Sequence, residues 1–359
     1  MREFQKKTIQ AGVIIFAMTL FLLVGLPTAL VGLWHWRDDG SLTASTAGSS
    51  GGPSLRIVDS RSEPGRGSID SDRISVPVWR TAKNRVETVP LEDYVAGVVS
   101  SEMPAGFHAE ALKAQAVAAR TYGLAKMEKS ASGKPEAHPQ APLCDGTHCQ
   151  VYRSPEELRE LKGSQWMTSD ESGFPKIRQA VEDTRGQVIY YQGEMILQPL
   201  FHSASGGRTE NSEDVFSAAL PYLRSVESGS FENGAYAAET SAVDLSVFLT
   251  KVKTLDANAS SSPIAVIRRS EGGRVEELQV GEATVTGRQI RELFGLKSAN
   301  FTVQLVTDST GSGGQRIVFT TSGNGHGVGM SQYGADGMGK AGYDYKQILQ
   351  HYYSGVTVE

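Results

Sequence analysis

Ser100-Ser101-Glu102-Met103-Pro104-Ala105-Gly106-Phe107-His108-Ala109-Glu110-Ala111-Leu112-Lys113-Ala114-Gln115-Ala116-Val117-Ala118-Ala119-Arg120-Thr121-Tyr122 is the stretch from which the chain is most readily read. It starts at the end of one helix and runs through a second. Upstream, Leu91 to Val99 reads as a helix entered through Pro90, because a proline φ suits a helix start. Pro104 disfavours helix at the residue before it, so that helix stops near Glu102. From Ala109 to about Lys129 the chain is rich in Ala, Leu, Lys and Glu, all strong helix formers. Leu112, Ala116, Ala119 and Gly123 recur at helical spacing and make one small-residue stripe suited to close packing. Glu102 thus stands at a helix-ending turn beside Met103, Pro104 and Phe107. Apolar neighbours raise a carboxyl pKa, which a general acid needs to hold a proton near neutrality. A surface Glu at a helix junction is the plainer reading, and Glu110 serves equally well as a capping residue. Arg120 lies at the edge of the stripe. An unpaired charge on a core face is costly, so Arg120 calls for a partner carboxylate or a substrate oxygen unless it is simply exposed.

Around this stretch the pattern is α+β, with helices early and strands later. Ile74 to Trp79 alternates like an edge strand, where Pro77 is tolerated. Ile177 to Asp183 reads as a short helix. Gln187 to Tyr191 and Met195 to Leu197 flank Gln192-Gly193-Glu194 as a hairpin. Residues 262–320 give several alternating strands and one helix at Arg288–Phe294.

Towards the N-terminus, Thr8 to Trp36 is 29 residues without Asp, Glu, Lys or Arg, enough to cross a hydrocarbon core of ~30 Å. Arg2, Lys6 and Lys7 precede it, which places the N-terminus in the cytoplasm. Trp34 and Trp36 suit the outer interface. The run reads as an uncleaved anchor, with a cleaved signal peptide as its rival. Residues 1–37 are therefore read as cytoplasmic N-terminus and transmembrane helix, 38–73 as a Ser/Gly/Thr-rich tether, and 74–359 as the folded, exported domain. Its location is then the cell membrane, single-pass, with the folded domain outside. Outside the anchor the chain carries 32 positive and 39 negative charges, a net of −7. This acidic balance excludes a strongly basic nucleic-acid binder and argues against gripping an anionic polymer by bulk charge.

Glycine is the compositional outlier, 39 of 359 residues, against an average near 7%. Part of the excess lies in the tether. The rest clusters at Phe201-His202-Ser203-Ala204-Ser205-Gly206-Gly207 and in Gly323 to Gly337, which includes His326, Ser331, Gln332 and Tyr333. Glycines so spaced imply close backbone approach or positive φ. Both clusters look like groove walls lined by small residues and hydroxyls, the alternative being two tight structural turns. No Gly-Lys-Ser/Thr follows, so a phosphate loop is a poor match. Both cysteines fall in one loop, His138-x5-Cys144-x3-His148-Cys149. Two thiolates and two imidazoles are a full tetrahedral zinc set, and a Cys144–Cys149 disulfide is the rival. With all four bound no open position remains, so the metal would be structural or site-shaping.

The motifs Ser101-Glu102-Met103-Pro104, Glu110 to Ala116, Ala119-Arg120-Thr121-Tyr122, Phe201 to Gly207, Gly325 to Ala335 and His351-Tyr352-Tyr353-Ser354-Gly355 together resemble the sporulation protein D and amidase-enhancer family. They are ordered and spread over about 250 residues. The resemblance implies a membrane-anchored lytic transglycosylase that cleaves peptidoglycan glycan strands, preferably those stripped of stem peptides, after N-acetylmuramic acid during forespore engulfment. It implies that Glu102 is the catalytic acid and that Arg120 and Tyr333, and less directly Tyr222 in Pro221-Tyr222-Leu223, act with it. His202, Ser203, Ser205, Gly206, Gly207, His326, Ser331 and Gln332 become glycan-binding residues. Some members bind zinc through a loop like that at His138, Cys144, His148 and Cys149. The family also implies a complex with stage II sporulation proteins P, an amidase, and M at the septal membrane. A non-catalytic activator of a wall amidase and a zinc amidase are the rival classes.

Overall fold

Val76 and Val78 are fully buried while Ser75 faces solvent, the alternation that makes β1 (Ser75–Arg80) a half-buried strand. It belongs to a computed structural model that describes residues 69–131, 140–307 and 314–359. The run read as a membrane anchor, and most of the tether, lie outside the described residues. Among the described residues no helix is long and apolar enough to cross a membrane. The end of the stretch read as tether is seated on the fold: the Ile69 N–H donates to the Gly186 carbonyl at 3.0 Å and Ser71 is buried.

β1 pairs antiparallel with β2 (Arg85–Pro90) along its whole length. On its other side Val78 and Trp79 pair in parallel with Leu143 and Cys144, which form β3 (Leu143–Cys144). β1 is therefore the middle strand of three and not the edge strand its sequence suggests. Pro77 is accommodated because the β3 ladder begins only at Val78, so the missing N–H interrupts nothing there.

α1 (Leu91–Glu102) starts after Pro90, and its Val99 carbonyl accepts from Met103 N–H. α2 (Ala109–Ala131) is buried on every side from Ala114 to Ala125. The expected stripe is thus part of a wider apolar surface, and Ala-rich packing lets neighbours approach from all directions. Gly123 marks the closest approach: a Cβ there would lie 3.2 Å from the Tyr94 ring. Then come α3 (Pro155–Lys162), closed by a Ser154–Glu157 capping box, and α4 (Phe174–Asp183). The hairpin forms between β4 (Ile189–Tyr191) and β5 (Glu194–Met195), turning at Gln192 and Gly193 with φ of 53° and 83°. Two positive φ values make the turn type whose twist matches the flanking strands.

The short β6 (Phe201–His202) and α5 (Ser212–Val215) lead into a second lobe. There β7 (Glu239–Asp244), α6 (Leu245–Val252), β8 (Ala259–Arg269), β9 (Val275–Gly281), β10 (Ala283–Val285), α7 (Gly287–Phe294), β11 (Phe301–Thr307) and β12 (Gln315–Thr321) enclose a smaller core. Phe248, Phe294, Phe301 and Phe319 meet at its centre. The chain then returns to the first core through β13 (Met330–Ser331), α8 (Gln332–Lys340), α9 (Tyr345–Tyr352) and β14 (Val356–Val358). The fold class is α+β, but its last helices rejoin the early ones: α8 and α9 both pack on α2.

Candidate active site

Glu102 ends α1 because Pro104 forbids a further turn, and Met103 beside it is buried. One carboxylate oxygen, Oε1, accepts the Val151 N–H at 2.6 Å. Burial raises the carboxyl pKa, and the Val151 N–H only partly opposes this. The carboxyl is thus poised to keep a proton above the usual carboxylate range.

The loop after Glu102 is held from several elements. Lys162 of α3 donates to the Ser100 carbonyl at 2.6 Å, placing a cation at the C-terminal end of α1, where the helix dipole favours it. Lys176 of α4 donates to the Phe107 carbonyl at 2.7 Å. Asp336 of α8 accepts the His108 N–H at 2.7 Å across 228 positions of sequence, and Lys340 pairs with Asp336 at 2.6 Å. Tyr333 stands edge-on to Phe107 with ring centroids 4.9 Å apart. Gln332 donates to Gln115 at 3.3 Å. The Glu102 segment and the late glycine-rich motif therefore form one assembly. Burial, then the neighbours Tyr236 and Asp336, push the Tyr333 phenol up, so it stays a neutral donor.

The two glycine clusters mostly pack on each other. β6 and β13 pair in parallel, Met330 with Phe201 and Ser331 with His202. A Cβ on Gly206 would lie 2.7 Å from the Gly323 nitrogen, and one on Gly323 would lie 2.6 Å from the Ser205 carbonyl. Glycine is required because two backbones touch. At the centre sits Glu232, 3% exposed. It accepts from the N–H groups of Ser205 (2.7 Å) and Gly206 (3.0 Å) and from the hydroxyls of Ser228 (3.0 Å) and Ser331 (2.6 Å). Nothing local in the sequence marks Glu232, since its four donors come from three separate segments. His202 donates through Nδ1 to the Val328 carbonyl at 3.2 Å, and His326 Nδ1 accepts the Val328 N–H at 3.1 Å. Burial pushes the pKa of His202 well down and that of His326 to about 4, so both rings are neutral. The groove reading is corrected for His202, Ser205, Ser331 and Gln332: they are buried and bonded to protein. Ser203, Gly206, Gly207 and His326 keep some exposure, and a Cβ built on Gly207 meets open space.

Arg120 is a further correction. Its side chain is 0% exposed and meets Glu92 at 2.5 to 3.1 Å through Nε and Nη2. It also donates to the carbonyls of Gln187 (3.1 Å) and Val181 (3.3 Å). The partner carboxylate that its sequence context called for is Glu92, and the guanidinium ties α1, α2, α4 and the start of β4 together rather than facing substrate. Tyr222 is likewise buried. Its hydroxyl accepts the Gln198 N–H at 3.2 Å, and its ring lies 5.7 Å from that of Tyr191. It is a core tyrosine. A cavity of about 480 Å³ opens beside Gly97, Tyr152, Pro155, Phe174, Asp93 and Arg178, and Glu102 does not line it.

Cys144, His148 and Cys149 bring their ligand atoms within 4.8 Å of one another, and no disulfide joins the cysteines. His138 lies outside the described residues. The Cys149 Sγ to His148 Nδ1 distance is 3.6 Å, close to the ~3.6 Å edge of a tetrahedron built from ordinary Zn–S and Zn–N bonds. The donor set and spacing fit zinc. The loop is placed by β3 at one end. At the other, Gln150 bonds the Tyr94 hydroxyl at 2.9 Å and the Ala119 carbonyl at 3.1 Å, and Val151 bonds Glu102. The cysteine loop thus sits directly before the backbone donor that holds the acid.

A family model described as stage II sporulation protein matches residues 80–191, the segment from β1 through Glu102 and the cysteine loop to β4. Stage II sporulation protein D of Bacillus amyloliquefaciens is 38% identical over 286 residues, 79% of this chain and 78% of its own length. The amidase enhancer of Bacillus subtilis is 28% identical over 312 residues, 73% of this chain and 40% of its own. Stage II sporulation protein D of Bacillus subtilis is 37% identical over 349 residues, covering 96% of this chain and 95% of the relative. With its site-bearing segment inside the family match and its length spanned by that relative, the chain belongs to the stage II sporulation protein D family.

Proposed function

We propose that this protein is a lytic transglycosylase of peptidoglycan, with Glu102 as its acid. The observation that supports this most directly is the Glu102 carboxyl: its pKa is raised by burial, one backbone N–H orients it, and the loop carrying it is held at both ends. Glu102 protonates the glycosidic oxygen that follows N-acetylmuramic acid as the C1–O bond breaks. The resulting carboxylate then takes the proton of the sugar's own 6-hydroxyl as that oxygen closes on C1, leaving a 1,6-anhydro end. One carboxyl can serve in both steps, so the paired carboxylates of ordinary glycosidases are not required. The test is digestion of peptide-free glycan strands by the purified protein, read by mass spectrometry. New anhydro ends are expected, and folded protein that releases no new ends overturns the reading.

Cys144, His148 and Cys149 would hold a structural zinc ion, with His138 as the fourth ligand by family resemblance. When bound, the ion supplies cross-linking of the loop. The chain's own Val151 N–H then stays aimed at Glu102. Metal analysis should find one zinc per chain, and chelation should lower the melting temperature, because a ligand of the native state stabilises it. An unchanged melting temperature after complete zinc removal would count against the site. Residues 8–36 would anchor the protein in the cell membrane with the folded domain outside, where stage II sporulation proteins P and M are the proposed partners.

A second reading is favoured by the amidase-enhancer relative: a non-catalytic activator of a wall amidase. Under that reading Glu102→Ala leaves amidase stimulation intact and no anhydro ends are ever made.

A further inference from the structure

Tyr236 has a φ of 53°, the left-handed region in which a bulky side chain is an outlier. Asn233 and Gly234, in the same short loop, also have positive φ (50° and 73°). Asn and Gly enter this region readily. Tyrosine does so only where the surrounding structure holds it. Here the Gly323 N–H donates to the Tyr236 carbonyl at 2.8 Å, and Glu232 at the head of the loop takes four hydrogen bonds. The strain is thus maintained from two sides, and what it presents is the ring.

That ring stands edge-to-face on Tyr333, with centroids 5.7 Å apart and planes at 88°. Tyr333 in turn stands edge-on to Phe107. Phe107 turns back to Pro104 through an N–H to carbonyl bond of 3.0 Å, so this aromatic series begins one turn from Glu102. Between them Pro104 and Gly106 are exposed, and a Cβ built on Gly106 meets nothing within 4 Å. Tyr236 and Tyr333 are both half-buried, so neither residue is sealed in the core. A pyranose ring offers a flat face of C–H groups, and an aromatic face is electron-rich. Tyrosine supplies such contact area with little side-chain entropy to lose. A neutral glycan gains little from net charge, so stacking is the grip that remains alongside hydrogen bonds.

We infer that Tyr236, with Tyr333, forms a stacking subsite for a pyranose ring of the glycan strand, beside the bond-breaking position at Glu102. This rests on the glycan reading above. The test uses the full chain in a Glu102→Gln background, so that strands are bound but not cut, with peptide-free N-acetylglucosamine–N-acetylmuramic acid strands as the probe. Tyr236→Asn and Tyr236→Gly remove the ring while accepting the backbone angle, and each is read where its melting temperature matches the parent. Either should weaken binding roughly ten-fold, while Tyr236→Phe should stay within about three-fold of the parent. Parent-like affinity in the ringless variants overturns this inference alone. So does a loss in Tyr236→Phe equal to theirs, since the hydroxyl would then be the contact. A parent that binds no strands overturns the glycan reading together with this one.

Discussion

Glu102→Gln is expected to lower strand cleavage by about 10²–10⁴-fold with the fold intact. Glutamine keeps an oxygen for the Val151 N–H, which now lies 2.6 Å from Oε1, but it has no proton to give. The wild-type pH profile should carry the same signature. Burial raises the Glu102 pKa, so the proposed cleavage should persist above the ordinary carboxylate range and fall as pH climbs through the raised value, where the acid is lost. The stability sign follows from proton linkage. With the folded-state pKa above the unfolded one, the native state binds more protons through that window and the protein loses stability as pH rises across it. Glu102→Gln removes this loss. Its melting temperature should exceed the wild type at neutral pH and converge with it at pH below the ordinary carboxylate range. An active Glu102→Gln, or a wild-type profile without the falling limb, would remove Glu102 from the reaction.

Arg120→Ala is expected to cost about 3–5 kcal/mol of folding stability, against a typical total of ~5–15 kcal/mol. It leaves the Glu92 carboxylate buried without its cation and takes one donor each from the carbonyls of Val181 and Gln187. Glu92→Ala should cost about as much, since it also strips the acceptor of the Gly186 N–H at 3.2 Å. Arg120→Lys is no substitute, because a point charge cannot span one carboxylate and two carbonyls. Replacing both members with methionine should recover much of the loss, because no unpaired charge then stays buried. Urea unfolding measures each variant. Cleavage by Arg120→Ala should fall only as far as its folded fraction falls. A variant of wild-type stability that nonetheless fails to cut would return Arg120 to the reaction itself.

These two residues divide what could be read early from what could not. The surroundings of Glu102 were legible because they are local: Pro104 stops the helix, and Met103 and Phe107 lie within five positions. The hairpin turn at Gln192 and Gly193 was legible for the same reason, since turn backbone is dictated by the residues in it. Arg120 was legible only as a question. Its odd placement in an Ala-rich helix demanded a partner, but Glu92 sits 28 positions away on another helix. Glu232 gave no signal, because a carboxylate in a Ser- and Gly-rich loop gains meaning only when distant donors converge on it.

The amino-acid sequence by itself determined where α1 stops, the helix-ending position of Glu102 and the α+β class. Each follows from backbone sterics or propensity acting over a few residues. The tertiary structure decided that the two glycine clusters face each other more than they face a ligand, that His202 and Arg120 are held inside the fold, and that Tyr333 stands on the Glu102 loop. Those outcomes depend on contacts between segments as much as 228 positions apart. Burial and pairing, unlike propensity, belong to such a contact and not to either residue alone.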